Sequence, residues 1–333
     1  MGVGGTSPDD GVLPRTRVLL PRHRLFTEAV AVVYIVVAAQ CDGRHYLFFP
    51  GLAALAYDVL TRPWGKWASQ PARLVLTPSV AAVAGVWTTR QFPYHFLTVV
   101  GLVTGCLLVV AALKSNIAPA IAAGVLPLVL GIESWVYPAS IAVSLVVLLC
   151  ILLPWQRYCR RRYQSADATA ATNLDDILET PPGGRGWIVP FYAFVTTMAL
   201  CAAASGLRLL LIPPVIVIAY AMFAHPGTCP WAGKPIALLA ACSSISTAGW
   251  IAVSLWGKGG FAAGCAMVLG IIVLRALKFH MPPALAIGLL PLVIVSPGIE
   301  FPVSVTVGAA ALTLAYLIYR RLNMRSAQCQ TPN

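Results

Sequence analysis

Apolar runs alternate with short polar segments along the chain, and a longer polar stretch at 157–186 divides them into two sets. The runs cover residues 26–40, 46–60, 74–88, 96–113, 117–131, 138–156, 187–204, 208–224, 236–255, 261–276, 282–296 and 302–319. A helix needs about 20 mostly apolar residues to cross a bilayer, so the longer runs are candidate spans. The pattern predicts an all-α polytopic membrane protein with about 8–12 membrane segments.

Two stretches, 114–130 and 278–294, carry many of the same residues in the same order. Lys114 recurs as Lys278 (278 − 114 = 164), and a Pro, two Ala, a Gly and Pro-Leu-Val recur in step behind it. Further matches at a spacing of 163 or 164 are Tyr57 with Tyr220, Trp67 with Trp231, and Gly85 with Gly249. A register kept over this much of the chain indicates two tandem repeats.

Prolines interrupt both matched stretches, at Pro119 and Pro127 in the first and at Pro282, Pro283 and Pro291 in the second. A proline inside a helix removes a backbone donor and clashes with the preceding turn. In lipid, such a break is tolerated only where protein or a water-lined cavity satisfies the backbone. We therefore predict short proline-broken segments, sheltered by the rest of the bundle.

The composition agrees with a membrane location. Hydrophobic residues make up 59% of the chain and charged residues 10%, and the mean hydropathy is +0.80. Soluble domains carry about 25% charged residues. The lipid bilayer is therefore an expected partner, and the length leaves no room for a soluble catalytic domain.

The formal net charge of +12 comes from basic clusters in the N-terminal tail, at 157–162 and at 320–325. Clusters that flank apolar runs act as topology signals, so all three are expected in the cytoplasm, and nucleic acid is not an expected partner. The predicted division is a cytoplasmic tail at 1–25, membrane repeat 1 at 26–156, a cytoplasmic linker at 157–186, membrane repeat 2 at 187–320 and a cytoplasmic tail at 321–333. Each repeat then crosses the cell (inner) membrane an even number of times. Parallel repeats are favoured over inverted ones.

The repeated stretches also hold the candidate substrate site. Paired short segments with proline breaks are a sequence signature of transport sites. Lys114 and Lys278 enter them, and two ammonium groups that face one aqueous cavity attract an anion. Arg275 and His280 add donors beside Lys278, while Asn116 takes the position of His280 in the first copy. These five residues are the predicted substrate-binding residues.

The same residues have structural interpretations, which stay open. A lysine at the end of an apolar run commonly extends to the lipid headgroups. His280 is either a hydrogen-bonded packing residue or a group that couples proton to anion movement, since imidazole changes charge near neutral pH.

Acidic residues near the apolar runs are few. Asp58 precedes Arg62 by four residues, so a structural ion pair on one helix face is favoured. Glu133 and Glu300 are interpreted as solvated loop carboxylates, with a gate as the alternative. A metal-cation pathway would need several oxygen ligands at membrane depth, which this scarcity argues against.

The chain lacks the common signatures of catalysis and of cofactor binding. It contains no HExxH, GxSxG or P-loop motif, and its nine cysteines show neither CxxC nor Cys/His ligand spacing. We expect no enzyme activity, no catalytic residues, no cofactor and no metal, although an intramembrane enzyme stays an alternative.

Tryptophan and proline mark two matched links, 61–71 and 224–235. Tryptophan and cations between apolar runs are typical of a membrane-interface belt, which is the favoured interpretation. The alternative is that the prolines and glycines let each link fold back towards a pore mouth.

The second half resembles the HPP family of integral membrane proteins, named for a His-Pro-Pro motif. The stretch 280–284 reads His-Met-Pro-Pro-Ala, and the link 226–235 is similar to the family's proline-containing link. Met281 separates His from Pro-Pro here, and in the first half the motif has become Asn116-Ile-Ala-Pro119. Plant organelle members are associated with nitrite transport, so the resemblance implies a small inorganic anion as substrate.

Together these observations predict a transporter or channel for a small inorganic anion of the nitrite or nitrate kind. A transporter for a small organic anion or another solute is the second hypothesis. A membrane scaffold that transports nothing is the third. A homo-oligomer is compatible with all three.

Overall fold

The computed structural model describes residues 21–41, 48–163, 184–226, 229, 231–278 and 280–328. Most of the predicted N-terminal tail, most of the predicted linker and the end of the C-terminal tail lie outside these residues. Within them the chain forms twelve α-helices and no strand. Their bounds are α1 Pro21–Cys41, α2 Gly51–Thr61, α3 Pro71–Gln91, α4 Phe96–Ala112, α5 Pro119–Leu130, α6 Val136–Tyr163, α7 Ile188–Ser205, α8 Pro213–Ala224, α9 Pro235–Trp256, α10 Gly260–Ala276, α11 Pro282–Leu289 and α12 Glu300–Gln328.

Each predicted apolar run corresponds to one of these helices, so the all-α prediction is confirmed. Five helices (α1, α6, α7, α9 and α12) are long and apolar enough to cross a membrane. The chain has the build of a helical membrane protein. Three helices extend into segments predicted as cytoplasmic: α1 begins at Pro21, α6 continues to Tyr163 and α12 continues to Gln328.

Four short helices, α2, α5, α8 and α11, form the interior. Gly51–Leu60 of α2 and Pro282–Leu289 of α11 are buried throughout. At 1.5 Å per residue, a helix of 11 or 12 residues is about 17 Å long, while a bilayer core is about 30 Å thick. The short helices therefore end inside the bundle, where other helices surround them.

Prolines begin these short helices more often than they break them. Pro119 opens α5, and Pro282 and Pro283 open α11, at positions where the missing N–H would have no helical partner. Pro291 lies in a 3-10 turn, Leu290–Leu292, directly after α11.

Pro127 does not break α5, which continues to Leu130. A proline leaves the carbonyl four residues earlier without its helical donor. Here that carbonyl belongs to Ala123, and the buried Tyr137 hydroxyl donates to it at 3.0 Å. The predicted break at Pro127 is therefore replaced by a continuous helix with one side-chain donor.

Each set of six helices contains a close glycine contact at the same place. Gly85 of α3 lies against the Gly124 carbonyl of α5, and Gly249 of α9 lies against the Gly288 carbonyl of α11. A Cβ on either first glycine would collide with that backbone. Small residues here allow the helix axes to approach closely.

Contacts between the two sets are also matched. The first helix of each set packs on the fourth helix of the other, which gives α1 with α10 and α7 with α4. The second helix of each set packs on the fifth of the other, which gives α2 with α11 and α8 with α5. The two sets are thus one interlocked bundle, and the short helices meet at its centre.

Candidate functional site

A small pocket of about 40 Å³ lies at this junction, where α2 and α8 end and where α5 and α11 begin. It is lined by Asp58, Arg62, Trp67, Ala118, Val217, Tyr220, Ala221, Trp231, His280, Pro282 and Pro283. One water needs about 10–15 Å³ of such space, so the pocket has room for about three waters or one small ion.

The lining contains matched positions from both sets of helices. Three pairs with a spacing of 163 or 164 occur: Asp58 with Ala221, Trp67 with Trp231, and Ala118 with Pro282. A pocket lined by both members of such pairs lies where the two sets face each other.

Asp58 is the buried carboxylate of the pocket, with 1% of its surface exposed. Arg62 Nη1 donates to its Oδ1 atom at 3.1 Å, which confirms the predicted i,i+4 pair. His280 Nε2 lies 3.3 Å from the same oxygen. The other oxygen, Oδ2, is buried and has no hydrogen-bond partner within the described residues. Because a buried charge is costly unless it is paired, both bonds on Oδ1 stabilise the carboxylate.

His280 belongs to the segment that leads into α11. Its ring lies 5.7 Å from the Tyr57 ring, at an interplanar angle of 30°. Asn116, the residue at the matched position, is not among the lining residues. The backbone carbonyl of Asn116 instead accepts a hydrogen bond from Trp67 Nε1 at 2.8 Å. Of the five predicted substrate-binding residues, His280 is the one that lines this pocket.

Trp67 and Trp231 follow α2 and α8, and both are buried in the pocket wall. For these two side chains the predicted interface belt is wrong, because a buried indole cannot contact headgroups. Both indoles instead lie inside the bundle, and the alternative, in which each link folds back towards a pore mouth, stays a prediction. The Nε1 donor of Trp231 is buried and has no hydrogen-bond partner in the described part of the chain.

Arg275 belongs to a second charged cluster beside the pocket. It forms a close ion pair with Glu28 of α1, whose carboxylate also accepts from Arg24 Nε at 3.2 Å. The Arg24 guanidinium also lies near the Tyr57 side chain. Glu28 is only 4% exposed, and a buried carboxylate needs a positively charged partner. The ion pair with Glu28 therefore explains the position of Arg275 without a bound anion.

Lys114 and Lys278 have exposed side chains, and neither lines the pocket. Both adopt left-handed backbone conformations, with φ of 47° and 50°, directly after α4 and α10. The Lys114 N–H donates to the Ala111 carbonyl, and the Lys278 N–H donates to the Arg275 carbonyl, both at 3.0 Å. These bonds close the ends of α4 and α10. Glycine is the usual residue in this conformation.

The backbone N–H groups in the first turns of α5 and α11 already have partners. The Ala120 N–H donates to the Ile117 carbonyl at 3.1 Å, and the Ala284 N–H donates to the Met281 carbonyl at 3.0 Å. The helix-opening prolines have no N–H to offer. These ends present a partial positive charge to the pocket rather than hydrogen bonds.

Two larger cavities, of about 430 and 570 Å³, lie between α1 and α6. Their walls are almost entirely apolar side chains, such as Phe48, Leu52 and Val147 in the first. Without convergent polar groups they lack the features of a specific solute site. The smaller pocket at Asp58 is therefore the candidate functional site.

No family model, no curated protein and no solved structure matches the chain. The resemblance to the HPP family stays a prediction from the residues around His280.

Proposed function

We propose that this protein is a membrane transporter, and that its substrate crosses the bundle through the pocket at Asp58 and His280. The observation that carries the proposal is the buried carboxylate of Asp58, in contact with His280 at the junction of the two sets of helices. Ionisable side chains within apolar segments are costly, and in membrane proteins they commonly mark substrate or ion pathways.

The proposed architecture is two tandem parallel repeats around an axis through this pocket. The matched helix contacts and the two glycine contacts support a duplication. Six helices in each set are consistent with an even number of crossings. Both termini and the linker would then be in the cytoplasm, with the protein in the cell (inner) membrane.

The proposed substrate is a small inorganic anion such as nitrite or nitrate. Arg62, His280 and the unpaired N–H of Trp231 give the pocket donors, and its volume suits an ion of a few atoms. The N-terminal ends of α5 and α11 add a partial positive charge that attracts an anion. Lys278 is two residues from His280, and exposed lysines near a pocket mouth raise the local anion concentration.

A second candidate is a transporter for a small organic solute. The observation that favours it is the unpaired Oδ2 atom of Asp58, which would accept a hydrogen bond from an ammonium or hydroxyl group. Trp67, Trp231 and Tyr220 would supply ring faces for such a molecule.

The test is solute flux into proteoliposomes, with nitrite, nitrate, chloride and acetate compared against protein-free vesicles. We expect nitrite or nitrate to move fastest, and His280→Ala to lose most of that flux. The matched control is Asn116→Ala, which changes the corresponding residue outside the pocket and is expected to keep the flux. Folded protein that moves none of the four anions would overturn the proposed substrate class.

A further inference from the structure

Asp58 stands in the proposed anion pocket with the same sign of charge as the substrate. This inference rests on the proposed function. We propose that Asp58 is a proton-binding site, and that the transporter carries one proton together with each anion.

Charge balance in the pocket is the first argument. The Arg62 guanidinium neutralises the Asp58 carboxylate while the pocket is empty. An anion that enters a pocket of about 40 Å³ brings a second negative charge close to that carboxylate. Like charges that share one site favour protonation of one of them. A proton on Asp58 removes the repulsion and keeps the overall charge of the site unchanged.

The second argument is the atom that is free to take the proton. Oδ1 accepts from Arg62 and contacts His280, so a proton there would displace an existing bond. Oδ2 is buried in the pocket wall without a hydrogen-bond partner among the described residues. A proton on Oδ2 breaks no bond and converts an unpaired acceptor into an O–H donor. The neutral acid no longer repels the anion, as the carboxylate would.

The groups around Asp58 give the proton a route and limit it to one site. Those that face it are Arg62 on its own helix, His280 before α11 and Tyr220 of α8. The neighbouring cluster contains one carboxylate, Glu28, bound by two guanidinium groups, Arg24 and Arg275, so it carries a net positive charge. The His280 side chain is 23% exposed and that of Asp58 is 2%, so His280 is the member of this pair that water and its protons can reach.

A single proton per cycle follows from the asymmetry of the matched positions. Ala221 occupies the place of Asp58 in the second set, and Asn116 occupies the place of His280 in the first. The pocket therefore has one carboxylate, although two matched positions face it. A neutral pair of one anion and one proton would move without net charge.

The experiment measures nitrate and nitrite uptake by proteoliposomes with and without an inward proton gradient. The membrane potential is held at zero with potassium and valinomycin, and protein-free vesicles correct for permeation of nitrous acid. We expect the gradient to raise uptake by the wild type several-fold, with acidification of the vesicle interior. Asp58→Asn mimics the protonated acid, so it is expected to exchange anion across the membrane with no response to the gradient.

Two outcomes would overturn the inference and leave the proposed function standing. One is anion uptake by the wild type that ignores the proton gradient, which can be read even if Asp58→Asn does not fold. The other is a folded Asp58→Asn variant that keeps the full response. Absence of any nitrate or nitrite movement by the wild type would remove the proposed function and this inference together.

Discussion

His280 Nε2 lies 3.3 Å from Asp58 Oδ1, although 222 residues of chain separate the two. They come from different sets of helices, and the ion pair of Glu28 with Arg275 joins the same two sets. In both pairs the acid is in the first set and the base is in the second. This junction is therefore held by ionisable side chains.

The matched junction on the other side is held by aromatic rings. Arg24 lies near Tyr57 on the charged side, and at the positions 163 residues later Trp187 packs on Tyr220 with ring centroids 5.3 Å apart. Phe191, at the place of Glu28, packs on the same Tyr220 ring at 6.1 Å. Two similar junctions thus have different chemistry, and ionisable groups are concentrated on one of them.

Asp58→Ala should destabilise the protein strongly. It leaves Arg62 and its charge in the bundle without the carboxylate, and loss of one member of a buried ion pair costs about 3–5 kcal/mol. Denaturant unfolding in detergent would measure the loss. Glu133→Ala removes an exposed loop carboxylate and is expected to change the free energy of unfolding little. If both variants lowered the free energy of unfolding equally, the ion pair of Asp58 with Arg62 would not be a main source of stability.

Gly85→Ala and Gly249→Ala should each lower the free energy of unfolding by about 1–3 kcal/mol. The new Cβ would collide with the carbonyl of Gly124 or Gly288, and a backbone cannot move aside as a flexible side chain can. The control is Gly101→Ala in α4, where nothing lies within 4 Å of the added atom. That variant should gain about 0.5–1 kcal/mol from helix propensity. A loss at Gly101 as large as at Gly85 would refute the packing argument.

Lys114→Gly and Lys278→Gly should raise the stability by about 1 kcal/mol each, since glycine adopts the left-handed conformation without a Cβ clash. The matching alanine variants remove the same charge and keep the clash, so they should show no such gain. Thermal unfolding compares the two series. Anion flux at low ionic strength should fall equally in both if the lysines act by charge.

Tyr137→Phe should cost about 1–3 kcal/mol, because it leaves the buried Ala123 carbonyl without a donor opposite Pro127. Tyr158→Phe, at an exposed tyrosine of α6, is the matched control and is expected to be neutral. Thermal unfolding in detergent would compare them. A second substitution, Pro127→Ala, restores the helical N–H and should recover most of the loss in Tyr137→Phe. Failure of that rescue would show that the hydroxyl acts elsewhere.

Most of the helices could be predicted from the sequence, since apolar runs between polar segments are what a bilayer imposes on a helix. The pairing of Asp58 with Arg62 was predictable for a similar reason, because residues four apart share a helix face. The sequence places Gly85 and Gly249 at matched positions, but it does not show that they contact the carbonyls of Gly124 and Gly288.

The sequence by itself determined the membrane class, the twelve helical segments and the repeated positions, because each depends on local composition or on spacing along the chain. Only the tertiary structure decided that Asp58 meets His280, that Glu28 neutralises Arg275, and that Trp67 and Trp231 turn inwards to line one pocket. Only the tertiary structure shows why α5 continues through Pro127, since the compensating hydroxyl comes from another helix. These contacts join residues far apart in the chain, and the packing of whole helix faces selects them.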